Sequence, residues 1–226
     1  MKKLIIIALV FLCQNSLSNE NIIKNVEAKY IFYYKNMEAG KMTLKINTEN
    51  NKIKISTVYD GNFLAELANR GYREEISHVE INQNIILPKK YMYKDGEESY
   101  QAIFNANKVE IIKKNTEPIN LNTDEIIYDP ISLLLLLMRT YPNFDTKYNV
   151  LSKKNIKIYN YNFKENASIK INKLQYHGYS AEYISGNKKN IFFFSKEHKN
   201  LMVSTRIMKK GKEKIRIDLS EIKFLN

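Results

Sequence analysis

Of 226 residues, one is cysteine, seven are glycine, four are proline, three are histidine and none is tryptophan. A lone cysteine cannot close an intramolecular disulfide, and no Cys/His spacing suited to zinc is present. So little glycine and proline excludes a collagenous or low-complexity chain. Arginine is also scarce. The formal net charge of +12 rests on 31 Lys against five Arg, beside 28 Asn and 30 Ile. These three abundant residues have A/T-rich codons, so base composition accounts for much of the excess. A surface that reads nucleic acid favours the bidentate fork of Arg, so the lysine-heavy balance argues against a nucleic-acid partner. No apolar run reaches the roughly 20 residues needed to cross a bilayer as a helix.

What the N-terminus does have is the pattern of an export signal. Lys2 and Lys3 precede an unbroken apolar stretch over residues 4–13. Ser16 and Ser18 then occupy the small-residue positions before a cleavage point, which places the cut after Ser18. Cys13 follows Leu12 rather than a small residue, which disfavours lipidation there. Residues 19–226 are then a single domain without cysteine, 208 residues long with net charge +10. The expected location is the periplasm. At this length about 70% of the unfolded surface can be buried.

Apolar residues recur with period two through most of the domain. Val26, Ala28, Tyr30, Phe32 and Tyr34 share one face; Met42, Leu44 and Ile46 share the next; Ile53, Ile55, Thr57 and Tyr59 follow. This is the mark of half-buried strands. Gly40, the pair Asn50 and Asn51, and the pair Asp60 and Gly61 are read as turns. Residues 63–69 fit a helical turn or two. Strands are expected over 72–81, 89–93, 100–104 and 109–113, with a break near Pro88. A single strong helix is expected where Asp129 can cap, Pro130 suits the first turn, and Leu133 to Met138 run apolar to Arg139. A helix apolar nearly all round must be covered nearly all round. Strands return near Ile156, over 176–184 and 191–194, and around Val203 and Ile215. About ten strands and one helix predict a mainly β protein (α+β): a single curved antiparallel sheet, or half-barrel, wrapped on one apolar helix.

Four stretches carry a family resemblance: the aromatic strand from Tyr30 to the glycine at Gly40, the segment Leu87-Pro88-Lys89-Lys90-Tyr91, the helix Asp129-Pro130-Ile131-Ser132-Leu133 through Arg139, and the ending Ile215-Arg216-Ile217-Asp218-Leu219. Together they resemble the bacterial envelope family catalogued as domain of unknown function 3108. The resemblance implies an exported protein of unestablished activity and a fold similar to the half-barrel of periplasmic lipoprotein carriers. It implies no catalytic residues.

The chemistry-bearing residues point the same way. His78, His177 and His198 have no ligand spacing. The neighbours Glu74 and Glu75 would face opposite sides of a strand, and Asp124 and Glu125 are likewise adjacent. No GxSxG elbow and no Gly-rich phosphate loop occurs. The sequence therefore predicts a non-catalytic protein without metal or cofactor. The leading expectation is a hydrophobic-ligand site for a lipid or a lipoprotein acyl chain, in a crevice between sheet and helix. Its walls would be Tyr30, Phe32, Tyr34, Met42 and Leu44 from the sheet, with Leu134, Leu137 and Met138 from the helix. The alternative is an interaction protein that meets anionic glycan, lipopolysaccharide, a partner protein or an anionic membrane surface. It would do so through its lysine-rich outer face. The lysine pairs at 89–90, 113–114, 153–154, 188–189 and 209–210, dispersed along the chain, read either as attraction to an anionic membrane surface or as protection of turns and strand ends against aggregation.

Overall fold

A computed structural model describes residues 25–62, 71–83, 85–142 and 145–225. The expected export signal and the ambiguous turn at 63–69 lie outside the described residues. The first half of the chain forms β1 (Val26–Tyr34), β2 (Met37–Glu49), β3 (Lys52–Gly61), β4 (Arg73–Asn82), β5 (Ile85–Asp95), β6 (Ser99–Asn105), β7 (Lys108–Ile112), β8 (Ile119–Asn122) and β9 (Ile127–Tyr128). Helix α1 (Pro130–Arg139) follows. The second half forms β10 (Lys147–Ser152), β11 (Asn155–Ile171), β12 (Leu174–Ser185), β13 (Lys188–Ser195), β14 (Leu201–Lys209) and β15 (Lys212–Phe224).

All fifteen strands join one open, curved sheet in the order β8-β7-β6-β5-β4-β3-β2-β1-β15-β14-β13-β12-β11-β10-β9. Strand β1 lies between β2 and β15, so two wings meet at the middle of the sheet. One wing is β1 to β8 and the other is β15 back to β9. The pairings are antiparallel except that of β9 with β10.

Chain connectivity forces the curvature. Laid flat, fifteen strands about 4.8 Å apart would put the two edges roughly 67 Å from each other. The edge strands β8 and β9 are nevertheless consecutive, joined only through residues 123–126, a link that reaches at most about 18 Å. The edges must therefore come round toward one another. The link is pinned to the β6–β7 turn, where Thr123 N donates to Asn107 O at 2.9 Å and Ile127 N donates to Ala106 O at 3.1 Å.

Helix α1 fills the space this leaves. Asp129 Oδ1 accepts from the backbone N–H groups of Ile131 and Ser132, both at 2.9 Å, and Asp129 N donates to Ser132 Oγ at 3.0 Å. This reciprocal cap satisfies donors that a helix start otherwise orphans. Every residue from Ile131 to Met138 is buried. The all-round apolar sequence has its reason in the fold: α1 packs on β3, β4 and β5 of one wing and on β9 and β10 of the other.

Three sequence expectations need correcting. The first turn falls at Lys35 and Asn36, whose φ angles are +49° and +67°. Gly40 instead lies within β2 beside a bulge, where a Cβ would collide with the Asp60 carbonyl. Pro88 does not separate two strands: it sits inside β5, opposite the bulge between His78 and Val79, where a missing donor is tolerated. The strands among the described residues number fifteen rather than about ten; β8, β9 and β10 were not foreseen. Asparagine also has a structural use here. Among the described residues, six of the twelve non-glycine residues with positive φ are Asn, namely 36, 50, 115, 166, 172 and 200. In a chain with seven glycines, asparagine supplies the left-handed turn positions that few other residues accept.

Candidate functional site

The sheet residues expected to line a crevice face inward. Tyr30, Phe32, Met42 and Leu44 are each no more than 5% exposed, and Tyr34 is half-buried. On the helix, Leu134 is 9% exposed, Leu137 1% and Met138 0%. Two tyrosine hydroxyls in this core are bonded within it. Tyr30 donates to the Met202 carbonyl and Tyr179 to the Leu137 carbonyl, both at 2.7 Å. Burial pushes the pKa of Tyr30 far above the ordinary phenol value. The structure places both sets in one continuous apolar core. The helix finds its main neighbours on β3–β5 and β9–β10 rather than on the strands β1 and β2 that carry the sheet set.

Two open clefts lie elsewhere. One, of about 500 Å³, sits where the β8–β9 link meets the start of β10. Glu125, Asp145 and Lys147 line it with Tyr128 and Tyr148, whose rings meet edge to face. Asn149 Nδ2 donates to Glu125 Oε2 at 3.2 Å. Burial, assisted by Asp145, pushes Tyr128 up to about 12. Carboxylates and lysine are mixed here, so the cleft has no dominant sign of charge.

The other cleft, of about 470 Å³, is lined by Glu98, Ser152, Lys153, Lys154, Asn155 and Lys157. It lies between the wings. Glu98 comes from the β5–β6 turn, and the remaining residues come from the β10–β11 hairpin and its flanks. Asp95 builds the turn that holds Glu98: its Oδ1 accepts from Glu97 N at 2.9 Å and Glu98 N at 2.7 Å, and its Oδ2 accepts from Tyr93 OH at 2.6 Å. Burial and that bond to Asp95 push Tyr93 up to about 12. Lys113, just past β7, pairs with Glu98 Oε1, and Lys153 Nζ stands 4.0 Å from Glu98 Oε2. Lys113 is itself only 15% exposed. Its burial, with the neighbouring Lys154 and Lys153, pulls its pKa below the ordinary lysine value. Lys154 and Lys157 form no ion pair among the described residues. Lys113 and Lys153, 40 residues apart in sequence, thus converge on one carboxylate, with Lys154 and Lys157 lining the same cleft.

One cluster has residue types associated with catalysis. Ser195 Oγ lies 2.6 Å from Glu197 Oε2 and 3.1 Å from His198 Nδ1, and His177 Nδ1 lies 3.0 Å from Glu197 Oε1. Ser195 is completely buried and donates to the Glu197 carboxylate. The cluster ties the short 3-10 turn Lys196–His198 to β12. Burial opposes ionisation of Glu197, but bonds from Ser195, its own backbone and His177 hold its carboxyl down to about 2. His78 stands apart on β4. Among the described residues no group of three or more His, Cys, Asp or Glu side chains could hold a metal.

Sequence reading missed a buried ion pair. Arg73 Nε lies 2.8 Å from Glu75 Oε1, and its guanidinium stacks 4.3 Å from the Tyr59 ring centroid. The only signal was the i, i+2 spacing of opposite charges on one strand, which puts them on the same face. Glu74 faces the other way and accepts from Tyr72 OH at 3.2 Å, as strand alternation requires.

No protein-family model matches the chain, and no curated protein matches it.

Proposed function

We propose that this chain is a non-catalytic exported binding protein that engages an anionic component of the bacterial envelope. The observation that carries this reading is the cleft between the wings, which Lys153, Lys154 and Lys157 line beside the single carboxylate Glu98, itself paired with Lys113. Export, with the periplasm as the location, rests on the N-terminal pattern of Lys2, Lys3, the apolar stretch and Ser16 and Ser18. The half-barrel and its buried helix accord with the family resemblance. A lipid or lipoprotein ligand held by Tyr30, Phe32, Tyr34, Met42, Leu44, Leu134, Leu137 and Met138 is supported less. Seven of these eight are core side chains no more than 9% exposed, so a ligand could enter only if the wings parted.

The test is binding of residues 19–226 to anionic vesicles and to an anionic polysaccharide at two salt concentrations, with and without the triple change Lys153→Ala, Lys154→Ala, Lys157→Ala. Each lysine near an anionic surface contributes about 1 kcal/mol. The triple variant should therefore bind roughly 100-fold more weakly. Wild-type binding should fall steeply as salt rises and the screening length shrinks. Binding that survives high salt and the triple substitution would rule the cleft out. Equal uptake of fatty acid by both proteins would move the site to the interior.

A further inference from the structure

We propose that the inter-wing cleft is a phosphomonoester site in which Glu98 stands in for the ligand's charge while the site is empty. This rests on the anion-binding reading above and names its ligand class. Lys153, Lys154 and Lys157 line the cleft, and Lys113 pairs from behind with its one carboxylate, so the four lysines and Glu98 together leave an excess of three positive charges. A carboxylate ligand brings one negative charge and a phosphomonoester brings close to two at neutral pH. An electrostatic site of this kind therefore favours the latter. Lysine suits a phosphate because it acts as a point charge with rotatable donors and imposes no planar fork. Half-buried Ser152 and the side chain of Asn155 add neutral hydrogen-bonding groups on the wall. The volume falls within the ordinary range for small-molecule sites, with room for a sugar carrying the phosphate.

Glu98 has two different grips. Lys113 holds Oε1 closely from behind the cleft, whereas Lys153 is 4.0 Å from Oε2, beyond hydrogen-bond reach. An entering phosphate can take Lys153 over without disturbing Lys113. The Asp95 turn fixes the Glu98 backbone, so the carboxylate stays nearby and repels whatever anion arrives. Removing its charge should therefore tighten binding, in proportion to the ligand's charge. With about 6 Å between the two anions in water, one unit of ligand charge corresponds to roughly threefold in affinity and two units to about tenfold.

The experiment is calorimetric titration of residues 19–226, wild type and Glu98→Gln, with a hexose 6-phosphate and with acetate. Flotation with phosphatidylcholine vesicles, plain or doped with phosphatidic acid, runs in parallel. The proposal expects wild type to prefer the phosphate to acetate. It expects Glu98→Gln to tighten phosphate about tenfold and acetate about threefold, and Lys154→Ala in the exposed turn to weaken both. Binding of the soluble hexose phosphate assigns a free ligand. Binding only to phosphatidic acid vesicles, again tightened by Glu98→Gln, assigns a lipid headgroup. If wild type binds anions but Glu98→Gln leaves affinity unchanged or weakens it, the role given to Glu98 is wrong and the anion cleft stands. If wild type binds neither probe, the anion-binding reading falls with it.

Discussion

Replacing Leu135 by alanine is expected to cost about 4–5 kcal/mol. Leu135 is fully buried in the middle of α1, with Leu133, Leu137 and Met138 around it no more than 3% exposed. Deleting three side-chain carbons loses their transfer free energy and leaves a cavity, and such changes span about 2.7–5.0 kcal/mol according to how far the surroundings collapse. Collapse is restricted here. The helix is braced by strands of both wings, and each strand is fixed by hydrogen bonds to its neighbours. The upper half of the range follows. Out of a total stability of about 5–15 kcal/mol, such a loss is plain in urea unfolding. With an m-value near 2–3 kcal/mol/M for a chain of this size, the midpoint should drop by roughly 1.5–2 M while the slope holds. Ile158→Ala, at a side chain 53% exposed, should stay within about 0.5 kcal/mol as the control. A loss at Leu135 below about 2 kcal/mol would refute the reasoning. It would mean that the interior has slack, which is the property an acyl-chain carrier needs.

Two further outcomes are expected. Burial pushes the completely buried Asp129 up to about 6, although Ser132, Ser77 and Ile131 all donate to it. Its pKa is higher folded than unfolded, so its contribution is fully present below about pH 4 and is lost as pH rises through about 6. The change is on the order of 3 kcal/mol. Wild type should lose stability across that window in urea titrations relative to Asp129→Asn, and parallel curves would contradict the assignment. Gly40→Ala should lower the melting temperature, because φ of +145° and the Asp60 carbonyl leave no place for a Cβ. An unchanged melting temperature would show that β2 can shift at the bulge.

The meander β1 to β3 was legible because one face is covered and one is wet, which writes period two into the residues. The helix was legible from Asp129, Pro130 and its apolar run. Strand β10 was not, since Tyr148, Asn149, Val150 and Leu151 are all buried and show no alternation. Strands β8 and β9, of four and two residues, are too short to carry a period. The Lys35–Asn36 turn was passed over for Gly40, because glycine is the stronger single-residue signal even where asparagine does the turning. The lysine cleft was invisible for a different reason. Lys113 and Lys153 come together only when both edges of the sheet are brought round by a four-residue link, and no local pattern encodes that closure.

The pairing of β1 with β15 has a consequence for biogenesis. These strands provide the sheet's hydrogen-bonded joint between its wings, and Lys29 meets Glu221 across it at 2.9 Å, 192 residues later. A nascent chain can form hairpins in each wing as they emerge, but it cannot seal the sheet until its last strand has been synthesised. Non-local closure of this kind is slow. The sheet of such a chain stays two unjoined wings until β15 arrives to pair with β1.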